Sequence, residues 1–119
     1  MILGVGTDIV EVSRMAKAIA SQAFVGKCFT KSEIERCNAM KNAAASFAGC
    51  FAAKESVVKA LGTGFRGFFP RDVEIFHDAM GRPHVRLAPS VDVPEGTQIS
   101  ISISHEREYA TAVAVIWTV

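Results

Sequence analysis

Residues Phe51–Gly64, FAAKESVVKALGTG, read as the second half of a helix that begins near Asn42 and closes at a glycine pair. From Ala43 to Leu61 the apolar residues surround the axis instead of keeping to one stripe, the pattern of a buried helix. Lys54, Glu55 and Lys59 interrupt it. On a helical wheel Lys54 falls between Phe47, Val58 and Leu61, in the most apolar sector, with Glu55 on its flank and Lys59 one turn beyond Glu55. The plain alternative is an i,i+4 Glu55–Lys59 pair on a solvated face, worth about 0.3 kcal/mol. Taking each ion out of water costs several kcal/mol, roughly ten times as much. A helix this apolar would not carry three such groups for stability alone, so Glu55 and Lys59 are expected to line a site.

Upstream, Ile2–Val10 alternates as a strand, with Leu3, Val5, Thr7 and Ile9 on one face. Asp8 shares the other face with Gly4 and Gly6, which a strand tolerates where a backbone or ligand must come close. Asp8 serves equally well as a cap for the following helix. Glu11 to about Phe24 reads as one amphipathic helix with Val12, Met15 and Ile19 inward; Arg14 and Lys17 are most simply surface charges. Thr30-Lys-Ser-Glu33 is a capping box that starts a short helix over Lys31 to about Met40.

Downstream, Phe65–Pro70 is an aromatic loop carrying Arg66, either folded onto the core or beside a ligand. Val73–Phe76 and His84–Leu87 are expected strands around the turn that contains Gly81, Arg82 and Pro83. Gln98–Ser104 alternates isoleucine with serine, and Tyr109–Val119 answers it as a long, largely buried strand through the hairpin His105–Glu108. Helices cluster in the first half and antiparallel strands in the second, so the class is α+β. His105 at a strand end is either a hydrogen-bonded turn residue or a functional one.

The 119 residues suit one domain with a modest core. No apolar run approaches membrane-spanning length, and the amino-terminal MILGVGTDIVEV lacks the basic n-region and cleavage pattern of a signal peptide. A net charge of +1 gives no case for nonspecific nucleic-acid binding. Cys28, Cys37 and Cys50 fit no C-x-x-C spacing and are expected as reduced thiols in the cytoplasm. The histidines are too scattered for zinc, and Gly62-Thr-Gly64 follows a helix where a P-loop precedes one. Carboxylates with a lysine point instead to magnesium and phosphate.

Three blocks match one family in order and spacing: Gly6–Arg14 as G-x-D-I-V-E-V-x-R, Phe51–Gly64, and Ser102–His105 as S-I-S-H. The chain closely resembles the bacterial holo-[acyl-carrier-protein] synthases, and the likeness spans nearly all of it. The resemblance implies a 4'-phosphopantetheinyl transferase-like fold over residues 1–119, an antiparallel sheet with a long central helix, assembled as a homotrimer with sites between subunits. It implies transfer of the phosphopantetheine arm of coenzyme A to a serine of apo acyl carrier protein, releasing 3',5'-ADP. Asp8 and Glu55 match the family's magnesium ligands, Lys59 its active-site lysine and His105 its phosphate-side histidine. Gly81, Pro83 and Ser104 are placed around the adenine, and Gly62, Gly64 and Arg66 beside the coenzyme. The first helix, through Arg14 with Lys17 or Lys27, is the expected dock for the acidic carrier. The base for the serine proton is Glu55 or a metal-bound water.

One departure stands out. Cys50 occupies a position where the family usually has an arginine associated with the coenzyme's 3'-phosphate; either coenzyme A binds more weakly or another cation, Lys41 or Arg66, reaches that phosphate, and Arg66 is the favoured substitute. The reading from another class is a noncatalytic carrier-protein or coenzyme A binding module of the same fold. The joint presence of Asp8, Glu55, Lys59 and His105 favours catalysis.

Overall fold

In the computed structural model, which describes all residues from Met1 to Val119, helix α4 (Ala43–Leu61) is the element against which the others pack. Asn42 caps its start by accepting from the Ala45 N–H at 3.1 Å, and Gly62 ends it in the left-handed region at φ +77°. Both boundaries agree with the sequence reading.

Strand β1 (Ile2–Glu11) lies directly across α4. A Cβ built on Gly4 would stand 2.0 Å from the Ala60 carbonyl oxygen, and one on Gly6 equally close to that of Ser56. The glycines therefore admit another backbone, one of the two options their spacing left open. Gly6→Val should cost about 1–3 kcal/mol through overpacking and also impair activity, because Asp8 is carried on the same strand. Urea unfolding measures the first effect; a wild-type midpoint would show that β1 and α4 can separate freely.

Strand β5 (Tyr109–Trp117) pairs antiparallel with β1 on one side and with β4 (Gln98–His105) on the other, giving the order β1-β5-β4. In this register Asp8 stands opposite Ala112, which faces Ile103 of β4. β5 is less buried than its composition suggests: Ala110, Ala112, Ala114 and Ile116 are covered, while Tyr109 and Thr111 are exposed. β2 (Val73–His77) and β3 (Pro83–Leu87) form a separate two-stranded sheet.

The single helix expected over Glu11–Phe24 is in fact two, α1 (Val12–Ala18) and α2 (Gln22–Cys28). Helix α1 tightens into i,i+3 bonds from Ala20 and Ser21 at its end, and the extended Ser21 then accepts from the Phe24 N–H at 3.2 Å. A serine cap thus restarts the chain inside an uninterrupted apolar period. Asp8 does not cap α1; the N-cap is Glu11, with no side-chain bond. Helix α3 (Lys31–Ala39) opens with the expected capping box between Thr30 and Glu33. In the aromatic loop Phe65 and Phe68 pack edge to face, while Phe69 stays half exposed.

Lys54 is fully buried and acts as a strut. Its Nζ donates to the carbonyls of Pro70 at 3.1 Å and Val73 at 2.7 Å, and pairs with Glu33 at 2.8 Å. It ties α4 to α3 and to the start of β2.

Candidate active site

The close crossing of β1 and α4 brings Asp8, Glu55 and Lys59 together. Lys59 Nζ donates to the Thr7 carbonyl at 2.9 Å and to Asp8 Oδ1 at 3.0 Å. The i,i+4 partner read from the helix is therefore passed over: Lys59 takes Asp8, and Glu55 is left without a counter-ion. Glu55 is half-buried. Burial first, and then the neighbouring Asp8 carboxylate, push its carboxyl above the usual range, and Lys59 offsets this in part. Two carboxylates held near one another by backbone packing, with one of them unneutralised, make a hard oxygen donor pair that suits a divalent cation.

No third His, Cys, Asp or Glu joins them in a ligand cluster. A cation here would keep positions for water and substrate oxygens, as magnesium does with one or two carboxylates. The residues present thus fit the expected metal. Asp8 and Glu55 also border a groove of about 340 Å3 whose far wall carries Arg14, Met15 and Phe24. Arg14 is exposed on α1, so a partner that entered this groove would meet a cation before the carboxylates.

Of the other expected site residues only Ser104 shares a pocket with these charges, and the rest lie elsewhere in the chain. His105, exposed at the end of β4, lines a cavity of about 160 Å3 together with Gly81, Pro83 and Cys50. Ser104 points to the outer face of the sheet, sharing a shallow pocket with Thr111 and the ends of Asp8 and Lys59. Gly62 and Arg66 border a pocket against Ser90–Pro94, and Gly64 takes a positive φ in the turn beyond. Arg66 is thus not on the wall that Cys50 occupies. Arg36 and His77 are, and neither was singled out in the sequence.

A chain of this α+β architecture, with its carboxylate pair and lysine on a helix–strand crossing, belongs to the 4'-phosphopantetheinyl transferase superfamily, whose family model matches residues 4–118. Within it the chain belongs to the holo-[acyl-carrier-protein] synthases. It is 44% identical to the holo-[acyl-carrier-protein] synthase of Fusobacterium nucleatum subsp. nucleatum over 98% of this chain and 99% of that one. It is 47% identical to that of Protochlamydia amoebophila over 97% and 98% of the two chains. Among solved structures, the synthase of Neisseria meningitidis superposes with a TM-score of 0.85 at 32% identity, covering 99% of this chain and all of that one. The synthase of Bacillus anthracis str. Ames in complex with CoA (3',5'-ADP) gives a TM-score of 0.86 at 31% identity, covering 100% and 99%.

Proposed function

We infer that the protein transfers the 4'-phosphopantetheine group of coenzyme A to a serine of apo acyl carrier protein, yielding the holo carrier and 3',5'-ADP. The observation that carries this is the joining of family membership to the Asp8–Glu55–Lys59 cluster, which supplies the charges such a transfer needs. Asp8 and Glu55 are the residues that would hold magnesium. Held there, the ion would supply positive charge against the pyrophosphate as the phosphoanhydride bond breaks. Lys59, held by Thr7 and Asp8, keeps an ammonium at the mouth of the same site, where it neutralises or protonates the departing phosphate. Asp8 has two tasks, one toward the metal and one toward Lys59.

His105, Gly81 and Pro83 receive the nucleotide end of the coenzyme, and Ser104 borders it. Within one chain Asp8 and His105 stand on the two edge strands of the sheet, roughly 12 Å apart by two inter-strand spacings and a two-residue offset along the strands. A homotrimer in which the β1 edge of one copy meets the β4 edge of the next closes that gap. The exposed apolar face of β1, with Ile2, Leu3, Val5 and Ile9 each about half or more uncovered, supports such self-association. The whole chain is proposed to act as one domain. No helix is long and apolar enough to cross a membrane, and three unpaired buried cysteines suit a reducing cytoplasm.

Incubation with coenzyme A, magnesium and an apo carrier, followed by mass spectrometry of the carrier, tests the activity. Gain of one phosphopantetheine group is expected. Binding of coenzyme A or carrier without that gain would establish the noncatalytic module instead.

Arg14 tests the partner. Because it stands exposed beside the groove, Arg14→Glu should raise the KM for the acidic carrier more than the KM for coenzyme A, and added salt should shrink the difference. An unchanged carrier KM at low salt would remove Arg14 from the interface.

A further inference from the structure

The cavity beside Cys50 is lined by a guanidinium that makes no ion pair. Arg36 of α3 lines it with His77 of β2 and His105 of β4. None of the ion pairs in the chain involves Arg36. Glu33, one turn earlier on α3, also borders the cavity, but both its oxygens are engaged. Oε1 accepts from the Thr30 N–H and Lys54 Nζ, and Oε2 from the Ile75 N–H and the Cys50 thiol. Burial and the charge of Arg36 both push the pKa of His77 down, so its ring is neutral near pH 7. Its Nδ1 is the one buried side-chain nitrogen or oxygen without a hydrogen-bond partner.

An unpaired guanidinium with two imidazoles and no free carboxylate selects an anion. The cavity, at about 160 Å3, exceeds the roughly 30 Å3 of one water and falls short of the roughly 300–1,000 Å3 of pockets that enclose whole small molecules. It suits a terminal group. Besides its pyrophosphate, coenzyme A carries one phosphomonoester, on the ribose 3' oxygen. Gly81 and Pro83, at the nucleotide end of the proposed site, line the same cavity.

We propose that Arg36, assisted by His77, binds the 3'-phosphomonoester of coenzyme A in the cavity where Cys50 contributes no charge. The assignment rests on the synthase reading. It replaces Arg66, whose pocket against Ser90–Pro94 is a different one.

Calorimetric titration with coenzyme A and with dephospho-coenzyme A, which lacks the 3'-phosphate, tests it. Arg36→Ala should weaken coenzyme A binding about 10- to 100-fold, the range of a charge-assisted bond to phosphate, and leave dephospho-coenzyme A nearly unaffected. Arg36→Lys, keeping the charge without the planar fork, should fall between. Equal losses for both ligands, no loss for either, or a selective loss in Arg66→Ala instead would overturn the assignment. Transfer to apo carrier is measured on the same preparations. A wild type that transfers shows that the synthase reading stands even where Arg36 fails, whereas a wild type that binds neither ligand overturns both.

Discussion

Asp8→Asn and Glu55→Gln should each lower transfer about 10²- to 10³-fold, the usual cost of removing one element of a preorganised charge clamp, while leaving the fold intact. Both substitutions keep side-chain volume and change only charge. Glu55 has no counter-ion within the chain, so its neutralisation removes a group that nothing inside the protein relies on. Indeed the carboxyl is already pushed toward its protonated form by burial and by Asp8, so Glu55→Gln should hold or raise thermal stability. Asp8→Asn differs, because it also releases Lys59 from its 3.0 Å partner and leaves only the Thr7 carbonyl to hold it. The expected signature is a divergence: both variants lose affinity for Mn²⁺, measured by paramagnetic relaxation of water, but only Asp8→Asn alters the environment of Lys59. Wild-type turnover by either variant at limiting magnesium would remove that residue from the metal site.

The parts of this site legible in the sequence were those set by period. Alternation put Asp8 on the face with Gly4 and Gly6, and helical spacing put Glu55 and Lys59 on one flank of α4. What spacing could not decide was competition between partners. Lys59 has Glu55 one turn away on its own helix, yet it bonds Asp8, 51 positions distant, because the glycine face of β1 lets that strand lie against α4. Glu33 was hidden for the opposite reason. Its capping box accounted for it locally, while its second oxygen reaches the Ile75 N–H, 42 positions away. Arg36, its neighbour on α3, has no local pattern to mark it; it lines a cavity only because β2 and β4 bring His77 and His105 beside it. The break at Ser21 escaped because an apolar period continues through it. Short-range patterns thus located the charges of the candidate site, but long-range pairing decided which of them lack an ion-pair partner within the chain.

The largest effect on stability is expected at the Glu33–Lys54 pair. Both residues are nearly or fully buried, and the donors and acceptors are almost all engaged: Lys54 Nζ meets Glu33, Pro70 and Val73, while Glu33 meets Lys54, Thr30, Ile75 and Cys50. Removing one member leaves the other charged and unpaired away from water, at a cost of about 3–5 kcal/mol. Against a typical total of about 5–15 kcal/mol, Lys54→Met alone should bring the protein close to unfolding at growth temperature. Glu33→Gln should do the same, since it strands the Lys54 ammonium while keeping most of the carboxylate's shape. The double variant Glu33→Gln/Lys54→Met buries no charge, so it should be more stable than the sum of the single losses predicts. A positive coupling of about 0.5–3 kcal/mol in the double-mutant cycle measures that difference. Lys54 adjoins Glu55 in sequence, and a catalytic role for it makes a contrary prediction. Should Lys54→Met keep the wild-type urea midpoint but lose transfer, the lysine would belong to the active site, and the strut between α4, α3 and β2 would have to be held by something else.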